Sequence, residues 1–423
     1  MSQIQLPPHW KVLPLGEVGR IERGKFTHRP RNDPEFYGGN IPFIQTGDVA
    51  NSDGYIRTYS QTLNEKGLSV SRIFAKGTIV ITIAANIGHT GILEFDSAFP
   101  DSLIGITPFE NIDKDYLNYY LRTQQAELDR QAPRGTQKNI NIQFLHPWAV
   151  VVPPLPEQFA IAHTLRTIQK AKEARQRELE LERERKAALT QHLFTHGTRN
   201  EPSQKTKIGE IPESWQVSKL GQLIASGPQN GLYKPASCYG DGVPILRIDA
   251  FNSGDIIDTQ KLKRLQLSNA ELEKYALSEG DIIINRVNGS SEIVGKCALV
   301  EQLTEATVFE SNMIRFAVKP EELSNNFLMD FLGSNQAREQ LRQKARITHQ
   351  KSLNQQDIKS LLIPLPHISE QKYITDVLLA CNRKITALEQ EAVFLDELFR
   401  AMLEELMTGG LSALPLVEEK ALN

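Results

Sequence analysis

An internal repeat restricts the possible folds of this 423-residue chain more than any other feature. Segment 9–18 is restated at 214–223, where Trp215 and Gly221 match Trp10 and Gly16 at an offset of 205. Later matches, of 137–141 with 350–354 and of 153–158 with 366–371, have an offset of 213 that continues to Gly197 and Gly410. Such an offset indicates loop insertions early in each half and a rigid segment late. The repeat predicts two related halves.

The late segment of each half is predicted to be one long helix. Residues 157–194 and 370–407 contain no Gly or Pro and are rich in good helix formers. Gly197 follows the first helix, where a C-terminal cap is expected. At ~1.5 Å per residue, each helix would be roughly 55 Å long.

A heptad seam runs along the second helix and indicates a coiled coil. All ten seam positions are apolar: Ile374, Leu378, Cys381, Ile385, Leu388, Ala392, Leu395, Phe399, Met402 and Leu406. The matching positions of the first helix are mostly apolar towards its ends, at Ile161, Leu165, Ile168, Leu179, Leu189 and Leu193, with polar residues at Lys172, Arg175, Glu182 and Lys186. We expect the helices to pack on each other, with the polar part frayed or facing something else. Two separate amphipathic helices are the alternative.

The early part of each half is predicted to be an α/β or α+β domain, over about 10–152 and 215–365. Short β-rich runs at 41–44, 78–83 and 281–285 are separated by turn residues and followed by helical stretches at 116–130 and 326–344. Residues 205–212 are typical of a polar linker.

Composition excludes several classes of protein. The formal charge of −3, from 48 basic and 51 acidic residues, argues against binding nucleic acid by bulk charge but allows local basic patches. Cys238, Cys297 and Cys381 lack the paired spacing of a zinc site or disulfide framework. Neither a signal peptide nor a run of ~20 apolar residues is present, so we expect a cytoplasmic protein.

Three fragments imitate catalytic motifs, and each fails at a required position. In segment 289–297, Ser290 and Cys297 replace the glycine and the hydroxyl residue that a phosphate loop needs. Segment 33–36 (Asp-Pro-Glu-Phe) departs from the Asp-Pro-Pro-aromatic motif of amino-methyltransferases, which favours a simple turn. Asp101, after Pro100, lacks the acidic-X-Lys partner of a nuclease site. We therefore expect no catalytic centre and no metal site in this chain.

Basic residues cluster in both halves and are candidates for DNA contact. Arg suits guanine edges and Lys suits phosphates, although a solvated charged face is the alternative interpretation. Occurrence in both halves favours DNA. The candidates are Arg20, Arg23, Lys25, His28, Arg29, Arg31, Lys138, Arg286, Arg342, Lys344, Arg346, His349 and Lys351.

In its repeated motifs, the chain resembles the specificity subunit of a type I restriction-modification enzyme. The resemblance covers the whole chain and rests on the W-x-x-x-x-L-G openings at Trp10 and Trp215, on IPFIQTGDV (41–49), on GTQKNIN (135–141), and on PPLPEQFAIA (153–162). The second half departs from the pattern, with ITHQKSLN (347–354) and PHISEQ (366–371) in the corresponding places.

The resemblance implies α/β (α+β) target recognition domains in tandem, separated by two long helices that form an antiparallel coiled coil. The expected divisions are a first recognition domain at 1–152, a central spacer helix at 153–198, a linker at 199–212, a second recognition domain at 213–365, a C-terminal spacer helix at 366–410 and a tail at 411–423.

The resemblance also implies a non-catalytic subunit whose two domains each read half of an asymmetric bipartite DNA site. Two methyltransferase subunits would bring S-adenosylmethionine, and motor-nuclease subunits would bring ATP and Mg²⁺ chemistry. Two other functions stay open: a coiled-coil adaptor that binds proteins without DNA specificity, and a nuclease with an unrecognised site.

Overall fold

A computed structural model describes residues 6–84, 86–133, 138–248, 262–288, 294–347 and 351–421. The chain folds into two compact units: a first unit from residues 1–176 and 390–423, and a second unit from residues 177–389. Each unit contains one α+β repeat together with part of each of two long helices. The predicted recognition-domain boundaries stay predictions, because the units divide the chain within both helices.

The first unit is built on two larger sheets and one strand pair. The five-stranded sheet has the order Gly19–Arg23, Leu103–Pro108, Ile79–Thr82, Thr90–Leu93, Tyr55–Ile56, and the four-stranded sheet has the order Gln61–Leu63, Tyr37–Phe43, Ser97–Ala98, Ile73–Phe74. Lys11–Pro14 pairs antiparallel with Ala149–Val152. The short helices are Leu15–Val18, Thr46–Ala50, Glu65–Ser69, Lys114–Thr123, Gln125–Gln131, Ile142–Leu145 and Leu414–Ala421, with a 3-10 turn at Pro34–Phe36.

The second unit repeats this arrangement with different loops. Its main sheets have the orders Ile224–Asn230, Met313–Val318, Ile282–Asn285, Cys297–Leu299 and Tyr239–Gly240, Lys263–Leu265, Val243–Leu246, Val308–Phe309. Gln216–Lys219 pairs with Leu362–Leu365, and Val287–Asn288, Lys351–Ser352 and Arg346–Ile347 form a small sheet. The short helices are Leu220–Leu223, Asn269–Tyr275, Asn325–Gly333, Asn335–Lys344 and Gln355–Lys359, with a 3-10 turn at Ala236–Cys238.

Several sequence expectations need correction. The helical stretches predicted at 116–130 and 326–344 each consist of two helices, which are separated at Gln124 and Ser334. The segment predicted as a polar linker forms an antiparallel hairpin of Ser203–Thr206 and Gly209–Pro212. Its Ile208 and Ile211 are buried in the core of the second unit, which explains why the segment is ordered. Part of the predicted tail is the helix Leu414–Ala421.

The two long helices, Leu155–His196 and Ile368–Thr408, confirm the predicted pair and are slightly longer than expected. Every predicted seam residue of the second helix is buried or half-buried. In the first unit, Ile161 and Leu165 share a core with Phe399 and Leu406. In the second unit, Leu193 shares a core with Ile374 and Leu378. The apolar ends of each seam are therefore parts of the unit cores.

The polar middle of the first helix is matched by charges on the second helix. In the first unit, Lys172 pairs with Asp396, and Arg175 pairs with Glu391 at 2.7 Å. This order of partners makes the helices antiparallel, as predicted. Lys172 and Arg175, two of the polar seam positions, are therefore paired with the second helix, where a frayed segment was one expectation.

The second unit pairs its helices in the same antiparallel sense. Lys384 lies 3.2 Å from the buried carboxylate of Glu182 and 3.4 Å from the partly exposed carboxylate of Glu178. Hydrogen bonds to Glu182 and Glu178 raise the pKa of the Lys384 ammonium. Ion pairs thus join the two helices in the middle of the seam, whereas apolar side chains join them at its ends.

A buried Trp–Glu pair fastens each repeat to the start of a long helix. Trp10 donates its indole N–H to Glu157 at 2.8 Å, and Trp215 donates to Glu370 at 3.2 Å. Both carboxylates are almost fully buried, so each requires the hydrogen bonds it accepts. The same buried Trp–Glu hydrogen bond is therefore present once in each unit.

The glutamine after each of these glutamates makes a second attachment. Gln158 accepts from the main-chain N–H of Asp113 at 2.9 Å, and Gln371 accepts from that of Ser324 at 2.9 Å. Asp113 and Ser324 are the N-terminal cap residues of the helices Lys114–Thr123 and Asn325–Gly333. The repeated Glu-Gln dipeptide thus contacts both the Trp of its repeat and the N-terminal end of one of its buried helices.

Each long helix ends on a glycine that packs against the Trp of its unit. Gly197 has φ +64° and lies beside Trp215, while Gly409 has φ +74° and lies beside Trp10. Alignment of the sequence pairs Gly197 with Gly410, which is wrong by one residue, because Gly409 takes the left-handed position that favours glycine.

Candidate nucleic-acid interface

The basic residues of the first half lie around the loop that leaves the strand Gly19–Arg23. Arg20 and Arg23 belong to the strand, and Lys25 follows with its side chain exposed. Arg20 pairs with Glu22 at 3.1 Å, and Glu22 also accepts from Arg72 at 2.9 Å. The strand therefore presents basic side chains that are partly balanced by one neighbouring acid.

Asp101 brings three of the predicted residues together. Its carboxylate accepts hydrogen bonds from Arg31 and, at 3.2 Å, from Arg29, while its main-chain carbonyl accepts from Arg23 at 2.7 Å. Arg29 and Arg31 stay about half exposed. The result is an ordered arginine cluster at the surface, centred on a residue 70 positions away from Arg31 in the sequence.

His28, in the same loop, contacts Phe36 and Asp33. Its ring stacks on Phe36 with centroids 4.0 Å apart, and its Nε2 lies 3.1 Å from the Asp33 carboxylate. Asp33 also accepts from the main-chain N–H of Glu35, and this bond, with His28, lowers the pKa of the Asp33 carboxyl. The Asp-Pro-Glu-Phe fragment is therefore a capped turn, as the sequence favoured.

The remaining candidate in the first unit lies apart from this cluster. Lys138 pairs with Asp129 at 2.8 Å, next to the helix Gln125–Gln131. In that helix, Arg130 pairs with Glu127 three residues earlier, and the hydrogen bonds from Arg130 and Gln131 lower the pKa of Glu127 to about 2.

The candidates in the second unit have mostly structural partners. Arg286 donates to the main-chain carbonyls of Leu353 and Ser311, both at 3.2 Å, and is half-buried. Lys344 donates to Ser360 at 2.8 Å, and Arg342 lies 3.4 Å from Glu339. The whole of His349 and the side chains of Arg346 and Lys351 lie outside the described residues.

The two basic clusters are not equivalent positions of the repeat. The pair Arg342 and Glu339 matches the pair Arg130 and Glu127, because each is an (i, i+3) pair on the second short helix after the main sheet. Their presence in both halves therefore supports DNA contact less than the sequence suggested. Contact of the named residues with DNA stays a prediction.

The second unit presents an aromatic residue where the first unit presents its arginine loop. Lys25 and Leu232 are equivalent, because their main-chain N–H groups donate to Phe99 and Phe309 at 3.0 and 2.8 Å. The next residue in the second unit is Tyr233, whose side chain is 79% exposed. No repeated motif marks Tyr233 or Asp101: the sequence did not identify Tyr233, and it drew attention to Asp101 only as an incomplete nuclease site.

Within the described ranges, His, Cys, Asp and Glu side chains nowhere gather in groups of three or more that could hold a metal ion. Every helix in the described part of the chain is too short or too polar to cross a lipid bilayer. Part of segment 289–297, considered above as a phosphate loop, lies outside the described residues.

Comparison with known sequences identifies one family. The family described as "Type I restriction modification DNA specificity domain" matches this chain twice, over residues 7–183 and 212–393. The MjaVIII specificity subunit of Methanocaldococcus jannaschii, a type I restriction enzyme subunit, is 24% identical over 419 residues, which cover 97% of this chain and 94% of that protein. The EcoKI specificity subunit of Escherichia coli K12 is 25% identical over 402 residues, with coverage of 88% and 82%.

Solved structures share the fold. A chain from work on complex assembly and conformational transition of the type I R-M system aligns with a TM-score of 0.60 at 16% identity, over 96% of this chain and all of that chain. The type I restriction-modification S subunit from M. genitalium aligns with a TM-score of 0.57 at 15% identity, over 96% and 97% of the two chains. At such identities the likeness concerns the fold alone.

Proposed function

The chain belongs to the family of type I restriction-modification DNA specificity proteins, and from this premise we propose that it is the DNA sequence-recognition subunit of such a complex. Each α+β repeat reads one half of a bipartite, asymmetric DNA site. The chain itself is non-catalytic, and the coiled coil sets the distance between the half-sites.

One observation supports this proposal above the others: the two repeats are fastened alike and differ where they are exposed. The buried Trp10–Glu157 and Trp215–Glu370 pairs match closely. The exposed loops beyond the equivalent residues Lys25 and Leu232 carry an arginine cluster in one repeat and Tyr233 in the other. A common frame with unlike surfaces suits a protein that reads two different sequences from one duplex.

The partners and cofactors follow from the family and are part of the proposal. Two methyltransferase subunits would bind this chain and supply S-adenosylmethionine for methylation of adenine. Motor-nuclease subunits would supply ATP-driven movement and Mg²⁺-dependent cleavage. Action in the cytoplasm also stays a prediction.

The coiled coil would act as a ruler between half-sites about one helical turn, ~34 Å, apart. Four residues added to a helix lengthen it by ~6 Å, which is near two base pairs. Because ion pairs join the helices in both units, the insertion should be made in both helices, between Arg175 and Glu178 and between Lys384 and Glu391. We expect the methylated motif to gain spacer length, and an unchanged spacer would contradict the ruler.

Half-site recognition is tested by mapping N6-methyladenine in cells that express this chain with its methyltransferase partner. The wild-type chain should produce one bipartite motif, and a chain with Arg23→Ala and Arg29→Ala should lose preference in one half only. Each lost base contact should cost about 1–3 kcal/mol of discrimination. The matched control, Arg130→Ala with Lys76→Ala, removes the same charge from two exposed ion pairs elsewhere in the unit.

Three outcomes would contradict this function. Equal loss at both half-sites would indicate general phosphate binding or misfolding. Absence of any bipartite methylation from the wild-type pair, with the partner bound, would favour a protein-binding adaptor. Metal-dependent cleavage by the purified chain alone would instead indicate a nuclease.

A further inference from the structure

We propose that Asp101 is a positioning residue that orients Arg29 and Arg31 towards guanine in the half-site of the first unit. The inference rests on the proposed function and deepens it, because it names the base that the arginine cluster reads. Asp101 lacks the partner residues of a nuclease site, and its surroundings give it a different role.

The Asp101 carboxylate lies between two guanidinium groups. One oxygen accepts from Arg31 and the other accepts from Arg29 at 3.2 Å. The carboxylate is 33% exposed, while Arg29 and Arg31 are 51% and 45% exposed. The two arginines are therefore more exposed than the carboxylate that binds them, and a ligand can reach them from solvent.

The main chain around Asp101 is fixed by close contact between two loops. The N–H groups of Gly24 and Lys25 donate to Leu103 and Phe99 at 2.9 and 3.0 Å. A Cβ added at Gly24 would lie 2.2 Å from the carbonyl oxygen of Pro100, so only glycine permits this approach. The carboxylate thus projects from a rigid site.

Arg29 is held in a geometry that leaves donors for a ligand. Its Nη1 donates to the carbonyls of Phe26 and His28 at 2.6 and 2.7 Å, and its Nη2 donates to Asp101. These bonds use three of the five N–H donors of a guanidinium. Guanine presents two acceptors, O6 and N7, in the major groove, and two donors remain to meet them.

Charge decides between a base and a phosphate as the ligand. A carboxylate beside the arginines repels a phosphate and reduces the net positive charge of the cluster, so it weakens purely electrostatic contact. The same carboxylate restricts two flexible side chains in advance and so favours directed hydrogen bonds to a neutral base edge. Asp101 is therefore expected to increase discrimination while lowering non-specific affinity.

In the described part of the second unit, the position equivalent to Asp101 carries a different residue. Gly231 makes the same close approach, to the carbonyl oxygen of Glu310, which places Ser311 at the position of Asp101. The Ser311 carbonyl accepts from Arg286 at 3.2 Å, and a serine side chain carries no charge to orient a guanidinium. The proposed reading of guanine by a carboxylate-oriented arginine pair is therefore assigned to the first unit.

The test maps N6-methyladenine in cells that carry the chain with its methyltransferase partner, using Asp101→Asn. The half-site of the first unit is the one weakened by Arg23→Ala with Arg29→Ala. In that half, sites with another base in place of guanine should also be methylated. The ratio of methylation at wild-type sites to methylation at these mismatched sites should fall about tenfold. The other half should keep its preference. Glu35→Gln removes an equal charge from a surface pair with Lys66 and should leave the motif unchanged.

A second variant guards against loss of folding. Arg29→Lys keeps the charge and removes the two-donor fork, so it should relax the same guanine position as Asp101→Asn. Non-specific binding to a duplex without the motif should rise with Asp101→Asn and stay level with Arg29→Lys.

The inference is overturned if the wild-type half-site has no guanine on either strand, if both variants leave the motif unchanged, or if Glu35→Gln relaxes it equally. In each of these outcomes the wild-type chain still produces a bipartite motif, so the proposed function survives. Absence of that motif from the wild type would overturn both.

Discussion

The two units hold their buried frames with the same side chains and present different side chains to solvent. Trp10 with Glu157 and Trp215 with Glu370 occupy matching positions. In the neighbouring exposed loops, Asp101 gathers arginines in the first unit, whereas Tyr233 stands exposed in the second. The repeated residues of this chain therefore attach each repeat to the long helices. The proposed DNA specificity depends on the exposed loops, whose residues are not repeated.

Truncation of either tryptophan should have the largest effect on stability. Unequal losses would contradict the structural equivalence of the two Trp–Glu pairs. Trp10→Ala and Trp215→Ala each remove a large buried side chain, and each should reduce the free energy of unfolding by about 3–5 kcal/mol. Chemical denaturation followed by circular dichroism measures this loss. A cost under ~1 kcal/mol at one site would show that only the other tryptophan fastens its repeat.

Replacement of the paired glutamates should have a smaller effect on the free energy of unfolding, and the effect should differ between the two units. Glu370 accepts from Thr198 through N–H and O–H at 3.0 and 2.8 Å as well as from Trp215, while Glu157 accepts from Trp10 and contacts the exposed His9. The buried indole N–H left without an acceptor costs about 1–3 kcal/mol in either variant, and Glu370→Leu also removes two hydrogen bonds from the exposed Thr198. Glu370→Leu should therefore destabilise more than Glu157→Leu in the same denaturation experiment. The reverse order would contradict the hydrogen-bond assignment.

The ion pairs between the helices should give the smallest effects, with opposite pH dependence in the two units. The hydrogen bond from Lys172 lowers the pKa of Asp396, so this pair stabilises the fold above the ordinary Asp pKa and is lost as pH falls below about 4. Hydrogen bonds raise the pKa of Lys384, so its contribution is present below about pH 10.4 and is lost as pH rises further.

Thermal unfolding of Lys172→Met and Lys384→Met across pH measures these contributions. The deficit of Lys172→Met relative to the wild type should shrink in acid, and that of Lys384→Met should shrink in alkali. Arg130→Met, which removes an exposed pair within a single helix, serves as control and should show little deficit at neutral pH. Parallel profiles for both lysine variants would contradict the assignment.

Local patterns in the sequence were sufficient for the frame. Helix composition and heptad spacing located both long helices to within about two residues at each end, because periodicity is a property of neighbouring residues. The repeat also identified Trp10, Trp215 and the two Glu-Gln dipeptides as matched positions. Their role as hydrogen-bond partners required contacts between residues about 150 positions apart.

The same local reasoning failed where distant residues decide the outcome. Segment 205–212 was predicted as a linker from its polarity, yet burial of Ile208 and Ile211 orders it as part of a hairpin. Asp101 was considered only as a nuclease carboxylate, because nothing in the sequence places it beside Arg29 and Arg31. The base contacts depend on such loop geometry, so the recognised sequence could not be predicted.

The composition of the first unit has a consequence for synthesis on the ribosome. Its core contains Trp10 and Tyr119 from the early part of the chain and Phe399 and Leu406 from the late part, while the whole second unit lies between. At ~5–20 residues per second, roughly 10–40 s separate the emergence of the two parts. The unit translated first is thus the last to be completed, and its unfinished apolar surface stays exposed to chaperones during that interval.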